Sequence, residues 1–513
     1  MLNGRIFLAG VALDSGVGGD PWDMPCPSRA FAVELHRFGW MPGLLAQQEA
    51  GAREALRLTL DWLAIFNRWS PFSWGAERLE RRTFRLACAV RKLIPLASDA
   101  EAQGVLDTLA RQARTLLAER NDPARAAERA AVAAVVGAAL AGKAGEALLA
   151  SALPRLARAL SVTVLPDGGV KTRNPEQALE LLFDLLTLDD ALVQRGRQSP
   201  AELSRAIDRL TGVVRFFTLA DGRLAAFQGG EAVGALRIGA ALAHDDADAR
   251  VFGYAPQSGY HRLAGPTLQV MVDAAPPAQG AWSHSACAHP LSLEVVCGRD
   301  RLIGNPGWSA DAQGPAAMRL VAGGSTVSLG DGSPGEPLRA TLARALGPRL
   351  VGGAGRVDAR RNETEAGVWL ELAHDGWVQS LGLKHERRLY LDPKAEELRG
   401  EDRFEPVTGR GHSKRPLRLI PYAVRFHLPP EVQVSLARNK RSVLLRAASS
   451  RGWWLRNDAG EVDLEPSVWF ERGLPKRALQ IVLKGQANPN EPTRVRWKLA
   501  PVEPADDTIT TAR

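Results

Sequence analysis

The 513-residue sequence has only four cysteines, Cys26, Cys88, Cys287 and Cys297, and no CxxC pair among them. In so long a chain that spacing fits free thiols, so a disulfide framework is not demanded. No apolar run approaches the roughly 18 residues of a spanning helix, and no transmembrane segment is expected. The opening MLNGRIFLAGVALDSG lacks an apolar stretch of useful length, so it is a poor signal peptide. A cytoplasmic location is expected, or a periplasmic one if a leader precedes this sequence. The chain also lacks a polybasic arm and zinc-finger spacing. A nucleic-acid partner is therefore not expected, although the net charge of +8 favours contact with anions of some kind. Tyrosine is scarce, four residues against thirteen tryptophans, and no strict internal repeat occurs.

What is present is a hydrophobic fraction of 45% with 24% charged residues, enough to bury large cores in two or three domains. From about residue 45 to 245 the chain is rich in Ala, Leu and Arg at helical spacing. The pattern predicts helices over 48–68, 76–95, 98–119, 124–142, 144–161, 175–195, 200–217 and 231–245. Connections are short, and Ser199-Pro200-Ala201-Glu202 reads as a cap. Paired antiparallel helices of similar length suggest a bundle, a solenoid or a closed toroid. Near residue 250 the texture turns to short β-rich segments: 267–275, 291–298, 367–375, 388–392, 423–428, 442–449, 478–485 and 494–499. Gly, Pro, Asn and Asp separate them, as in an antiparallel sandwich. The expected division is a helical domain over 1–250, a β-sandwich over 251–503 and a flexible tail over 504–513.

One stretch stands apart, LPDGGVKTRNPEQALELLFDLL at 165–186. Asn174 is a good N-cap, Pro175 suits the first helical position, and Gln177 can complete a capping box. Leu179, Leu182, Phe183 and Leu186 then form one buried stripe. Capping does not account for Asp167-Gly168-Gly169, Lys171 and Arg173 just before the helix. Those cations beside a helix N-terminus are placed to meet an anion.

Several stretches in order along the chain carry a wider resemblance. They are LHRFGWM (35–41), PDGGVKTRNPE (166–176), QSGYHRL (257–263), HPLSLEVVCG (289–298), HDGW (374–377), LKHERRLYL (383–391), GEDRF (400–404), AVRFHL (423–428) and RVRWKL (494–499). Together they resemble the heparinase II/III-like proteins, polysaccharide lyases and their relatives. The resemblance implies an (α/α) toroid of antiparallel helix pairs followed by an antiparallel β-sandwich, with the cleft between them. It also implies β-elimination on uronic-acid-containing glycans, without a cofactor. Such chemistry needs donors that neutralise the uronate carboxylate, a base for the C5 proton and an acid for the leaving oxygen. The candidates for proton transfer are Tyr260, His374, His385 and His427. Those for substrate binding are Lys171, Arg173, Asn174 and His261, and the expected partner is an acidic polysaccharide or oligosaccharide.

The same comparison marks departures. Val170 stands where relatives typically carry a histidine after DGG, and Gln177 stands where related active lyases place a tyrosine. The Asn-His pair implied for the helical domain is not evident around 128–142. Ser285 and Cys287 replace histidines of an HxH-type stretch, and Asn305 replaces an aspartate. With that set depleted, no metal site is expected. Trp22, Trp40, Trp62, Trp69, Trp74 and Phe72 can line a glycan cleft or fill the helical core, and the core reading is favoured singly. Three functions remain open: a lyase, a catalytically silent glycan-binding relative, and a glycan hydrolase. An Arg173→Ala variant is expected to lose glycan binding or turnover with its fold intact.

Overall fold

The structure, a computed structural model, describes residues 2–120, 122–243, 251–308, 315–407, 418–438, 440–448 and 451–502. The expected tail at 504–513 lies outside them. Seven long helices occupy the first half: Gln48–Phe66, Ala76–Leu93, Asp99–Ala118, Ala126–Ala139, Gly142–Thr163, Pro175–Gln194 and Ala201–Phe217. The shorter Ala235–Leu242 follows. A hairpin (Arg5–Leu8 with Val11–Asp14) and two short helices (Arg29–His36, Met41–Leu45) precede them, elements too brief for periodicity to reveal.

Packing explains the composition. Ala126–Ala139 is buried on all sides from Ala127 to Ala138 and touches four other long helices. Only small side chains permit that approach: a Cβ on Gly137 would lie 2.9 Å from the Leu149 backbone nitrogen. Trp22, Trp40, Trp62 and Trp74 are buried in this helical core, whereas Trp69 is 69% exposed. Ser98 and Glu101 form a complete capping box. Two expected caps are built differently. Pro200, not Ser199, is the N-cap residue of Ala201–Phe217, and Ser199 Oγ donates instead to Asp189. Asn174 caps Pro175–Gln194 as expected, but Gln177 turns inward to a buried carboxylate rather than back to the cap.

Three larger antiparallel sheets and a two-stranded one (Gly335–Pro337 with Leu350–Gly352) make up the described second half. A five-stranded meander runs Tyr254–Ala255, Tyr260–Ala264, Leu268–Asp273, Leu293–Cys297, Asp300–Ile303. An eight-stranded sheet has the order Val357–Thr364, Gly367–His374, Leu383–Asp392, Glu397–Pro406, Thr493–Pro501, Trp453–Asn457, Ser442–Arg446, Gln433–Leu436. The third is four-stranded, Glu461–Glu471, Leu474–Ala487, Ile420–His427, Val327–Leu329. The meander belongs to both halves. Ala255, Tyr260, Met271 and Val296 on one face join the helical core, while Leu263, Val270, Val272 and Val295 on the other join the sandwich core. That is why 291–298 reads as a nearly continuous apolar run rather than an alternating one.

Described residues of the helical connections around Asp122, Asp167 and Ala220 all reach the second half of the chain. Asp122 lies 3.5 Å from His284 Nδ1, Asp167 takes the Ser258 amide at 2.7 Å, and Ala220 N donates to Gln269 Oε1 at 3.0 Å. Because one sheet serves two cores, the halves are expected to unfold together. Met271→Ala should lower stability by about 2–5 kcal/mol. Its urea transition should shift equally when followed by far-ultraviolet circular dichroism and by tryptophan fluorescence.

Candidate functional site at the seam of helices and sheets

The 164–174 loop owes its shape to docking. Gly168 adopts φ +87°, and a Cβ there would meet the Arg209 carbonyl oxygen at 2.0 Å, so no other residue fits without rearrangement. Asp167 Oδ2 accepts from Gln257 N at 2.8 Å and from Ser258 N at 2.7 Å, clamping the turn that leads into Tyr260. The DGG motif is thus a seam fastener. Arg173 follows with φ +63°, a left-handed conformation that a non-glycine residue adopts only under restraint.

The restraint is visible at the side chain. Arg173 Nε donates to Ser258 O at 2.8 Å, Nη1 to Ala275 O at 3.1 Å and Pro276 O at 2.9 Å, and Nη2 to Gly259 O at 3.3 Å and to the Asp273 carboxylate. Its guanidinium carbon lies 4.8 Å from the Tyr260 ring centre. Burial opposes the charge, but Asp273 and the neighbouring Tyr260 outweigh it and hold the group protonated. Tyr260 is fully buried, its hydroxyl donating to Arg173 O at 2.6 Å. Burial pushes the phenol well above its ordinary range. The other oxygen of Asp273 accepts from Gln228 Nε2 at 2.7 Å, and Gln228 Oε1 accepts from Cys287 N at 2.9 Å. Asn174 Oδ1 caps its helix, while Lys171 stays exposed with Nζ 4.8 Å over the Trp282 ring.

The histidines lie elsewhere. Inside the sandwich core, Gly376 N donates to His374 Nδ1 at 3.1 Å. His374 Nε2 must then carry its proton and donate to His385 Nδ1 at 3.0 Å, and His385 Nε2 in turn donates to Asp402 Oδ1 at 2.8 Å. Arg387 Nε (2.7 Å) and Trp497 Nε1 (3.0 Å) complete the carboxylate's shell. Burial lowers both histidines, while Arg387 and His385 hold Asp402 ionised against burial. His374 and His385 are 1% and 0% exposed. His427 sits at a third place, with Nδ1 2.8 Å from Ser467 Oγ and Nε2 donating to Ala322 O at 3.1 Å. His289 donates to Leu320 O at 2.9 Å on the same turn, and burial lowers the two to about 3 and about 4. His261 stacks on Tyr254 at 5.9 Å, and burial beside Arg361 lowers it to about 4.

The structure therefore gathers Arg173, Asn174 and Tyr260, with Lys171 at their rim. It places His374 with His385, His427 with His289, and His261 at separate positions. One backbone strand bridges the first two groups: Asp273 N donates to Ser292 O at 2.9 Å, and Arg387 Nη1 donates to the adjacent Leu291 O at 2.8 Å.

Reading the sequence missed Asp273, Gln228, Arg387 and Asp402. Arg387 was the most legible, two residues after His385 and hence on the same strand face. It also missed a buried charge network in the helical half. There Gln177 Nε2 donates to Glu128 Oε1 at 2.7 Å, and Arg125 bridges Glu128 (3.0 Å) to Glu80. Burial raises the Glu128 pKa, whereas Arg125 and Arg81 outweigh burial and lower that of Glu80.

The depleted HxH-type stretch does not fit a zinc ion. Burial pushes the Cys287 thiol up to about 11, its Sγ lies 3.6 Å from Ser285 O, and Asn305 Oδ1 accepts from Ser325 N at 3.0 Å. Among the described residues, no group of three or more His, Cys, Asp or Glu side chains is arranged to hold a metal. None of the described helices is long and apolar enough to cross a membrane.

Comparison with known proteins places this architecture in a class. Residues 247–498 match the family described as Heparinase II/III-like, C-terminal. FtsZ-localized protein C of Caulobacter vibrioides (strain NA1000 / CB15N) is 53% identical over 504 residues, covering 98% of this chain and 87% of that protein. Among solved structures, heparinase III superposes with a TM-score of 0.74 at 13% identity, over 97% of this chain and 81% of that one. A mutant of the heparan sulfate lyase HepC from Pedobacter heparinus gives 0.62 at 13% identity, over 98% and 82%. The chain belongs to the heparinase II/III-like family, and its helical half followed by antiparallel sheets is the heparinase III fold. At that identity the solved structures speak for the fold alone.

Two outcomes follow from the burial of these groups. Asp273→Asn strands a buried guanidinium and should cost about 3–5 kcal/mol; Arg173→Ala strands the carboxylate at similar cost, so its first effect should be on the urea midpoint. His427 has its folded pKa lowered from 6.5 to about 3, so its contribution is present above 6.5 and is lost as pH falls towards 3. His427→Gln should make the fall in stability between these limits shallower by up to one proton, about 1.4 kcal/mol per pH unit.

Proposed function

We propose that this protein is a catalytically silent heparinase II/III-like protein that binds acidic glycan and acts at the cell-division apparatus. One observation carries the silent reading: every hydrogen-bonding nitrogen of Arg173, and the Tyr260 hydroxyl, end on oxygens of the protein itself. A uronate carboxylate would have to displace Asp273 and four backbone carbonyls from a buried guanidinium. Such an exchange leaves a buried carboxylate unpaired and costs several kcal/mol. Gln177, standing where related lyases place a tyrosine, is itself committed to Glu128 and Ala124 O. The division role is supported by 53% identity, nearly end to end, with a protein named for its localisation with FtsZ. The net charge of +8 and the kinship with polysaccharide lyases support an acidic glycan as ligand.

A second reading is favoured by the tautomer chain His374–His385–Asp402, which orients imidazoles as a base and its supporting carboxylate would be oriented. It is the lyase reading: β-elimination on a uronic-acid-containing glycan. Tyr260, His374, His385 or His427 would move the protons, and Lys171, Arg173, Asn174 and His261 would hold the substrate. That reading requires a rearrangement that brings the buried imidazoles to the seam.

Elimination leaves an unsaturated uronate with its own ultraviolet absorbance. Purified protein incubated with heparan sulfate, hyaluronan, alginate and polygalacturonate is expected to give no growth of that absorbance and no new reducing ends. Growth of the absorbance would establish the lyase; reducing ends without it would establish a hydrolase. A fluorescent fusion expressed in a cell with a marked division ring is expected to collect at the ring, and a uniform distribution would remove the division role.

A further inference from the structure

The eight-stranded sheet has one face in the sandwich core and the other in solvent, and the solvent face is ordered in a way the seam does not explain. Along Gly367–His374, Leu383–Asp392 and Glu397–Pro406, every second side chain points away from the core. The strand register sets three of these outward residues side by side with two from Thr493–Pro501 and Trp453–Asn457: Trp369 opposite Tyr390, Tyr390 opposite Arg399, Arg399 opposite Lys498, and Lys498 opposite Arg456. With strands about 4.8 Å apart, the row extends roughly 19 Å.

Its aromatic end is rigid. Trp369 is 45% exposed, and its ring centre lies 4.4 Å from that of Tyr390 at an interplanar angle of 30°. The Tyr390 hydroxyl donates to Ala366 O at 2.6 Å, and its ring covers Gly367, where a Cβ would come within 2.7 Å of it. Arg399 lies 5.6 Å from the Tyr390 ring centre on the other side. An exposed indole held in this way is a flat platform that loses little freedom when a ligand stacks on it. The cationic end holds Arg399, Lys498 and Arg456 against one carboxylate. Glu397 accepts from Arg399 Nε at 2.6 Å and from Lys498 Nζ at 2.9 Å, while Arg456 is exposed with no acidic partner among the described residues.

The next row is different. Glu371, Arg388, Glu401 and Arg496 alternate in sign and pair with one another, at 3.6 Å for Arg388–Glu371 and 2.8 Å for Arg496–Glu401. A ligand lying on the aromatic-cationic row therefore meets carboxylates along its flank. Those oxygens only accept hydrogen bonds, so they suit a ligand rich in hydroxyl donors, while Arg388 and Arg496 beside them keep the flank close to neutral.

We propose that the Trp369–Tyr390–Arg399–Lys498–Arg456 row is a binding strip for a chain of uronic-acid-bearing sugars. One pyranose face stacks on Trp369, the three cations take the carboxylates further along, and Glu371 and Glu401 accept hydroxyls from the flank. The proposal rests on the glycan-binding reading above and gives it a location away from the seam. DNA has the rings and the charge, but its backbone lacks the hydroxyl donors that Glu371 and Glu401 would take.

The full chain is titrated with a decamer of polygalacturonic acid, its methyl-esterified counterpart, a dT oligomer and polyglutamate, read by calorimetry and by tryptophan fluorescence. The acidic decamer is expected to bind, its methyl ester to bind about 10-fold or more weaker, and Trp369→Ala and Arg456→Ser each to weaken the decamer by a similar factor. Circular dichroism of both variants should match the parent, as should the urea midpoint of Arg456→Ser, while that of Trp369→Ala should fall only slightly through loss of the ring contact with Tyr390. Decamer binding that neither variant weakens overturns the strip and leaves glycan binding standing; absence of binding to the decamer overturns both. A dT oligomer or polyglutamate binding as tightly as the decamer, with the same dependence on Trp369 and Arg456, overturns the sugar assignment in favour of nucleic acid or an acidic protein. Growth of elimination absorbance in the parent would sink the silent reading alone, since the strip is judged by affinity.

Discussion

Everything in this molecule leans on one five-stranded sheet that has to be apolar on both faces. Ala255, Tyr260, Met271 and Val296 supply the helical core, and Leu263, Val270, Val272 and Val295 supply the sandwich core. A sheet so covered has no solvated face, so the polar groups along its helical edge have only protein partners. Arg173 provides them. It caps four carbonyls and Asp273 where the strand Leu268–Asp273 ends, and Asp167 fixes the turn before Tyr260–Ala264 from the same loop. The left-handed backbone at Arg173 is maintained by this web of bonds.

The same constraint gives the proposed silence of the seam its physical basis. A guanidinium that works on substrate needs open positions, and a phenol that protonates a leaving group needs its hydrogen directed at solvent or ligand. Here the apolar sheet excludes water, and the buried donors end on carbonyls and one carboxylate. The solved structures of heparinase III and of the heparan sulfate lyase HepC share this fold with the present chain. In this chain Gln228 reaches across to Asp273 and Cys287, and Gly230 approaches so closely that a Cβ would lie 2.7 Å from Asn174 Oδ1.

Buried charge in this protein is organised as closed networks rather than as isolated pairs. Asp402 takes bonds from His385, Arg387 and Trp497, and Glu128, Arg125 and Glu80 form a second chain in the helical half. Each network is costly to open at one member, because the remaining charge stays buried. His374, His385 and His427 follow the same logic: kept neutral by burial, they act as fixed donors and acceptors between strands. The exposed sheet face is the contrary case, where charges pair in solvent and remain free to exchange partners.

Much of the architecture was legible along the chain, because periodicity is a local property. Helix spacing from 48 to 217 and the β-rich segments from 267 onward each matched an observed element, and Asn174 announced its helix with a side chain two residues from its target. The Ser199 and Gln177 caps were misread because each side chain met a stronger partner, Asp189 and Glu128, distant in sequence. Arg173 and His385 were picked out, but Asp273 and Asp402, which fix their chemistry, lie 100 and 17 residues away. By itself the sequence determined which segments become helix or strand and which residue types carry charge, since both follow from short-range sterics and composition. Only the tertiary structure decided whether those charges face a ligand or one another, because that depends on which strand ends beside which loop and how much water the packing leaves between them.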